Sequence, residues 1–148
     1  MVSHRRIDSF RGPNAFLSNF FESPIWYMGR LYKTVEHAYQ AAKTDIGGQK
    51  EKVRLSATPG QAKRIGLTVL LRDGWDDEKI EVMKTLLKIK FSIPELRQKL
   101  MDTKDIDLVE GNTWGDFFWG VDSKSGQGEN VLGMLLMLVR AELQKEYG

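Results

Sequence analysis

The segment Thr34-Val35-Glu36-His37-Ala38-Tyr39-Gln40-Ala41-Ala42-Lys43, residues 34–43, reads as a helix with two distinct faces. Thr34 is placed to act as its N-cap, and the helix is expected to run from Val35 to about Lys43. Val35, Ala38 and Ala42 fall on one side as a core stripe. Glu36, Gln40 and Lys43 are spaced i, i+4 and i+7 and share another face, with Tyr39 between the two. That second face offers a carboxylate, an amide and an amine within reach of one ligand. Glu36 can serve as general acid or base, and Gln40 can orient a hydroxyl. Lys43 can bind phosphate or, if desolvated, act as a nucleophilic amine. The alternative is a solvated helix face with one modest Glu–Lys contact, since exposed polar faces are the rule on surface helices.

Working outward, the first third of the chain reads as short strands and turns. Ile25-Trp26-Tyr27 and Leu31-Tyr32 flank Met28-Gly29-Arg30 in the pattern of a hairpin. Thr58-Pro59-Gly60-Gln61 is a capping-box pattern with Pro at the first helical position, and Gly66 is placed to end that helix. Asp76 is expected to cap a longer helix through Phe91, with Ile80, Met83 and Leu87 at helical spacing. Ser92-Ile93-Pro94-Glu95 reads as a second capping box, opening a helix that ends near Met101. The segment Asn112–Gly128 is expected to be loop or short strand. A closing helix, about Glu129–Lys145, carries Val131, Leu132, Leu135, Leu136, Leu138 and Val139. The pattern is that of an α-rich domain with a small sheet.

Composition bounds the chemistry. The 148 residues suffice for one domain with its own core, and 41% hydrophobic with 28% charged residues is ordinary for a folded protein. Without cysteine there is no disulfide, thiolate zinc site or Cys nucleophile. Two histidines, His4 and His37, are too few for a His-based metal centre. The polar, basic start Met1–Arg6 argues against a secretory leader, and no run approaches a membrane span, so a cytoplasmic location is expected. The net charge of +2 is scattered, which is not the footprint of a protein that holds nucleic acid by charge alone.

Two further constellations can carry chemistry. In Trp114-Gly115-Asp116-Phe117-Phe118-Trp119-Gly120, aromatic faces can sandwich a planar base while Asp116 binds a sugar hydroxyl or steers water. Equally, the aromatics can plug the core with Asp116 capping a turn. In Phe16-Leu17-Ser18-Asn19-Phe20-Phe21, an Asn among aromatics suits a buried hydrogen bond to a base or ribose, though Ser18 and Asn19 can equally satisfy a turn. Glu110 and Arg140 are candidates for a buried ion pair. No glycine-rich phosphate loop, Rossmann fingerprint, nucleophile elbow or metal-binding motif occurs. What remains is acid/base or amine catalysis on a small polar ligand, without cofactor or metal.

Taken in order, these segments resemble the NADAR family, also called YbiA-like. The resemblance rests on Leu17-Ser18-Asn19-Phe20, Thr34-Val35-Glu36-His37 with Gln40 and Lys43, and Ala62-Lys63-Arg64 with Gly66. It continues through Lys90-Phe91, Leu96, Asp116 with Trp119-Gly120, and Asn130-Val131-Leu132-Gly133 with Leu136-Met137 and Arg140. It implies a mainly α fold, a single compact domain over residues 1–148 with a small antiparallel hairpin near the N-terminus. It also implies N-glycosidase chemistry on ribosyl compounds. Two activities are associated with the family: release of ribose 5-phosphate from early riboflavin-pathway intermediates, and removal of ADP-ribose from modified guanine in nucleic acid. By the motif, Glu36, Lys43 and Asp116 would be catalytic. Asn19, Phe20, Gln40, Trp119 and, at a commonly acidic position, Glu110 would bind substrate. The expected partner is a small ribosyl or ADP-ribosyl molecule, or an ADP-ribosylated nucleic acid read locally. A non-catalytic ADP-ribose-binding module is the alternative. This chain is more aromatic than the family pattern over Trp114–Trp119, a stretch expected to border the base.

Overall fold

The computed structural model describes residues 5–148; Met1–His4, and with them His4 and most of the leading segment read above, lie outside the described residues. Along the chain come strand β1 (Arg6–Ile7), a 3-10 helix (Gly12–Leu17), strands β2 (Ile25–Tyr27) and β3 (Arg30–Tyr32), and helices α1 (Val35–Ala42), α2 (Gly47–Arg54) and α3 (Pro59–Gly66). There follow α4 (Trp75–Lys90), α5 (Pro94–Met101), strands β4 (Asp107–Leu108), β5 (Gly111–Asn112) and β6 (Val121–Asp122), and α6 (Val131–Tyr147). The fold is mainly α. Among the described residues no helix is long and apolar enough to cross a membrane. The chain forms two compact units, one of Asn19–Lys90 and one of Phe91–Gly148 with the described part of Met1–Ser18.

The unit Asn19–Lys90 begins with the expected hairpin. Met28 and Gly29 have φ of +50° and +82°, the paired left-handed conformations whose twist matches two antiparallel strands. Arg30, expected in the turn, is the first residue of β3 and pairs with Tyr27. Ile25 and its cross-strand partner Tyr32 are buried, while Trp26 and Leu31 on the other face are exposed. Helix α1 packs against α2, α3 and α4, so every residue from Val35 to Ala42 is buried. An eight-residue helix is marginal in water, and this enclosure is what sustains it.

Two cap expectations change. Asp76 lies in the first turn of α4, which begins at Trp75; its charge suits the helix dipole. The N-cap of α5 is Ile93 rather than Ser92, and the Ile93 side chain makes no capping bond. Of the three apolar residues at helical spacing, Ile80 is 42% exposed, whereas Met83 and Leu87 are buried. Helix α2 was not foreseen: it opens on Gly47-Gly48 and buries only Val53, so it lacks an apolar period.

In the other unit β1 pairs with β4 in parallel, Arg6 opposite Asp107 and Ile7 opposite Leu108, and β5 pairs with β6 in parallel. Helix α6 packs on β4 and α5. The side chain of Asn130, at the start of α6, accepts from the Glu110 N–H at 3.0 Å and donates to the Leu108 carbonyl at 3.0 Å. That side chain ties β4 to the helix. Of the apolar residues this helix carries, Leu138 is 45% exposed, while Leu132, Leu135, Leu136 and Val139 are buried.

Candidate active site

Helix α1 is anchored at its N-terminus before any chemistry is considered. The Thr34 hydroxyl oxygen accepts from the His37 N–H at 3.1 Å, the capping bond expected of this residue. The Asn19 carbonyl accepts from the Glu36 N–H at 3.0 Å, which satisfies a second donor that the helix leaves open. His37 is fully buried. Its Nε2 lies 3.1 Å from the Ser56 carbonyl and its Nδ1 2.8 Å from the Thr34 hydroxyl. A carbonyl only accepts, so Nε2 carries the proton and Nδ1 accepts from the Thr34 hydroxyl. The ring pins the helix to the turn after α2.

Burial is the main cause holding the His37 imidazole below its ordinary 6.5; the Ser56 carbonyl opposes this and Lys33 adds to it. The unfolded chain therefore takes up a proton near 6.5, and the folded chain only at lower pH. Stability is unaffected above that value and falls as pH drops through the interval below it. Urea midpoints at pH 7.5 and 5.5 should show this loss, and His37→Gln should show a smaller one.

On the same helix, Glu36 and Gln40 are 8% and 4% exposed, and the Gln40 amide Nε2–H donates to Glu36 Oε2 at 2.6 Å. The solvated-face alternative is therefore set aside. A carboxylate removed from water must be hydrogen-bonded, and here an amide one turn along does it. Lys43 caps the C-terminal end of α1, half-buried, with Nζ 5.7 Å from the centre of the Tyr39 ring. Burial draws its amine below the ordinary lysine value; Glu36 pulls the other way, and Lys63 and Lys79 reinforce the lowering. The backbone of this residue is fixed as well, since the Lys43 carbonyl accepts from the Arg72 N–H at 2.8 Å.

Asn19 is buried, its Nδ2 3.6 Å from the Met83 sulfur and its Oδ1 without a hydrogen-bond partner. The Gln40 Oε1 is likewise buried and unpartnered. A buried acceptor left empty costs about 1–3 kcal/mol, and one of these two belongs to the amide that holds the Glu36 carboxylate. Phe20 is 44% exposed.

The remaining expected site residues lie in the other unit. Asp116 Oδ1 accepts from the N–H groups of Phe118 at 3.1 Å and Trp119 at 2.9 Å, the turn-capping arrangement. Asn112, not singled out from the sequence, holds the same loop: its amide bonds the Asp116 N–H at 3.0 Å and the Asp116 carbonyl at 2.8 Å. The rings of Phe118 and Trp119 meet edge to face at 4.9 Å, while Trp114 is 54% exposed rather than plugging a core. Glu110 is part-buried beside β5. Arg140 donates to the Thr103 hydroxyl at 2.9 Å and the Ile106 carbonyl at 2.7 Å; the acids acting on its charge include Asp105 and Asp107. Lys90, fully buried and 5.5 Å from the centre of the Phe21 ring, was legible only as part of the family pattern.

Comparison with known proteins places these features in a family. The NADAR domain profile matches residues 8–144. The N-glycosidase YbiA of Escherichia coli is 39% identical over 132 residues, covering 87% of this chain and 81% of that protein. A riboflavin biosynthesis protein of Vibrio vulnificus is 37% identical over 135 residues, covering 89% of this chain. The chain spans only 36% of that relative's length. The NMR structure of Escherichia coli YbiA superposes with a TM-score of 0.84 at 35% identity, covering 98% of this chain and 89% of that one. By profile, sequence and fold together, the chain belongs to the NADAR domain family.

Proposed function

We propose that this protein is an N-glycosidase that hydrolyses the bond between a ribosyl carbon and the nitrogen of a base, with Glu36 and Lys43 as its reacting groups. The observation that carries the reading is the buried face of α1, where an amide holds the Glu36 carboxylate at 2.6 Å and the half-buried Lys43 amine lies on the same face. The names of relatives over most of the chain support the reaction class.

Hydrolysis breaks the C1′–N bond. The bonding pair leaves with the base nitrogen, which takes a proton, and the oxygen of water ends on C1′ through an oxocarbenium-like state. Glu36 supplies the carboxylate nearest the sugar and assists proton transfer. Lys43 has two roles to choose between: holding a phosphate, or adding as a free amine to C1′ of the ring-opened sugar. In the second, the base nitrogen leaves with its bonding pair and a proton, and water then hydrolyses the Lys43 imine to free sugar and amine. Asp116 and Trp119 are proposed to take part in substrate binding, and Asn19 offers an empty acceptor suited to a ribose hydroxyl.

Among ribosyl compounds we favour a ribosylaminopyrimidine phosphate. Relatives named for riboflavin biosynthesis support this choice, and the near-balanced charge of +2 gives little purchase on extended nucleic acid. Incubation with ribosylaminopyrimidine phosphates and, separately, with DNA carrying ADP-ribosylated guanine tests it. Release of ribose 5-phosphate from the first is expected. Release only from the second would move the substrate to nucleic acid. Ligand-dependent stabilisation with no freed sugar from either would make the protein a binding module.

A further inference from the structure

We infer that Gln40 and Gly66 together are positioning residues for Glu36, with Gly66 a glycine because the Gln40 amide needs its space. This rests on the reading of Glu36 as a group that acts on substrate, and it gives Gln40, expected from the sequence to bind substrate, a part played through Glu36, with Gly66 behind it.

Gln40 lies one turn beyond Glu36, so amide and carboxylate stack along one helix face. The two ends of the amide are chemically opposite. Its N–H end is on Glu36 Oε2 at 2.6 Å, and its oxygen end is buried with no donor. Turning the amide over would set an acceptor against a carboxylate, which as an anion can only accept. The empty acceptor is therefore the consequence of giving Glu36 a donor. A residue present only to fill space would be apolar and carry no such cost.

The empty end faces α3. Gly66 is the last residue of that helix, and the cap after it, Leu67, is ordinary right-handed backbone, so no left-handed turn requires a glycine here. A Cβ at this position would lie 2.6 Å from Gln40 Cδ and 3.1 Å from Gln40 Cβ, and would overlap Oε1. The helix-ending role expected of Gly66 is thus secondary; what the position requires is the absence of a side chain. Even a methyl group displaces the amide and takes the donor from Glu36.

The test uses the full chain and four variants: Gln40→Met, Gly66→Ala, Gln40→Ala and the double variant of the last two. Gln40→Met keeps the volume and removes both polar ends. It should lower kcat for sugar release by roughly tenfold to a hundredfold, the worth of a hydrogen bond to a charged group. KM should change little, and the melting temperature should stay nearly level, because removing the empty Oε1 acceptor offsets part of the cost of taking a donor from the buried carboxylate. Falling activity with held stability is a pattern that mere packing would not produce. Gly66→Ala should lower kcat alone but add almost nothing in the Gln40→Ala background, because the residue it displaces is gone. An unchanged kcat in Gln40→Met, or fully additive losses in the double variant, would overturn the inference.

A readout independent of turnover separates this from the functional reading. The Gln40 side-chain NH₂ resonances should move in both Glu36→Gln and Gly66→Ala. If they stay in place in Gly66→Ala, the inference fails whatever the enzyme does. If they move while the wild type frees no sugar from any ribosyl compound, the positioning stands and the functional reading fails. Should Gly66→Ala not fold, the Gln40→Met arm decides alone.

Discussion

Glu36→Gln is expected to lower kcat by about a hundredfold to ten-thousandfold, the usual contribution of one positioned acid–base group. The substitution is close to isosteric, and its amide oxygen can still accept the Gln40 N–H that now reaches Oε2 at 2.6 Å. The helix should therefore hold: its cap at Thr34 and the bond from the Glu36 N–H to the Asn19 carbonyl do not involve the carboxylate. What disappears is the charge and the capacity to take a proton. Substrate affinity should change far less than turnover, because the loss falls in the transition state. Equal losses in binding and turnover, followed by calorimetric titration and steady-state kinetics, would instead describe a residue that only holds ligand.

The second large effect concerns Lys43. Burial lowers the affinity of its amine for protons, and Glu36 partly restores it. A larger fraction of free amine is thus present at neutral pH than on an exposed lysine, which is what imine formation with an aldehyde carbon needs. Borohydride added during turnover should leave a sugar adduct on Lys43, located by peptide mass spectrometry and absent from Lys43→Arg. The sign of the pH dependence follows. Trapping should rise with pH through a midpoint below that of an ordinary lysine. In Glu36→Gln, where the nearby anion is gone, the midpoint should move lower still. Full sugar release with no adduct at any pH would remove the imine and leave Lys43 as a phosphate ligand.

How much of this was legible in the sequence depended on how local the cause was. The hairpin and helices α1 and α3 were readable because a few adjacent residues determine them: Met28-Gly29 at the turn, Thr34 and Thr58 at the caps. Even there, Gln61 reaches the N–H of Ala57, one residue before the cap, rather than closing the expected box on Thr58. Helix α2 and the two-residue parallel pairs were not legible. The former is stabilised by packing on α1 and α3, and the latter join residues far apart in the chain. The periodicity of α1 showed that Glu36, Gln40 and Lys43 share a face. It held no information about what covers that face, which is decided by α2, α3 and α4 closing around it. Gly66 is the same lesson on one residue, since its neighbour Gln40 is 26 positions away by number and adjacent only in the fold.

If the α1 face breaks an N-glycosidic bond, free sugar must appear at a rate that depends on Glu36. The direct measurement is the time course of free ribose 5-phosphate released from a ribosylaminopyrimidine phosphate by the wild-type chain, with Glu36→Gln run beside it at saturating substrate. Multiple turnovers by the wild type are expected, with release at least about a hundredfold slower by the variant. Sugar released equally fast by both would contradict that dependence.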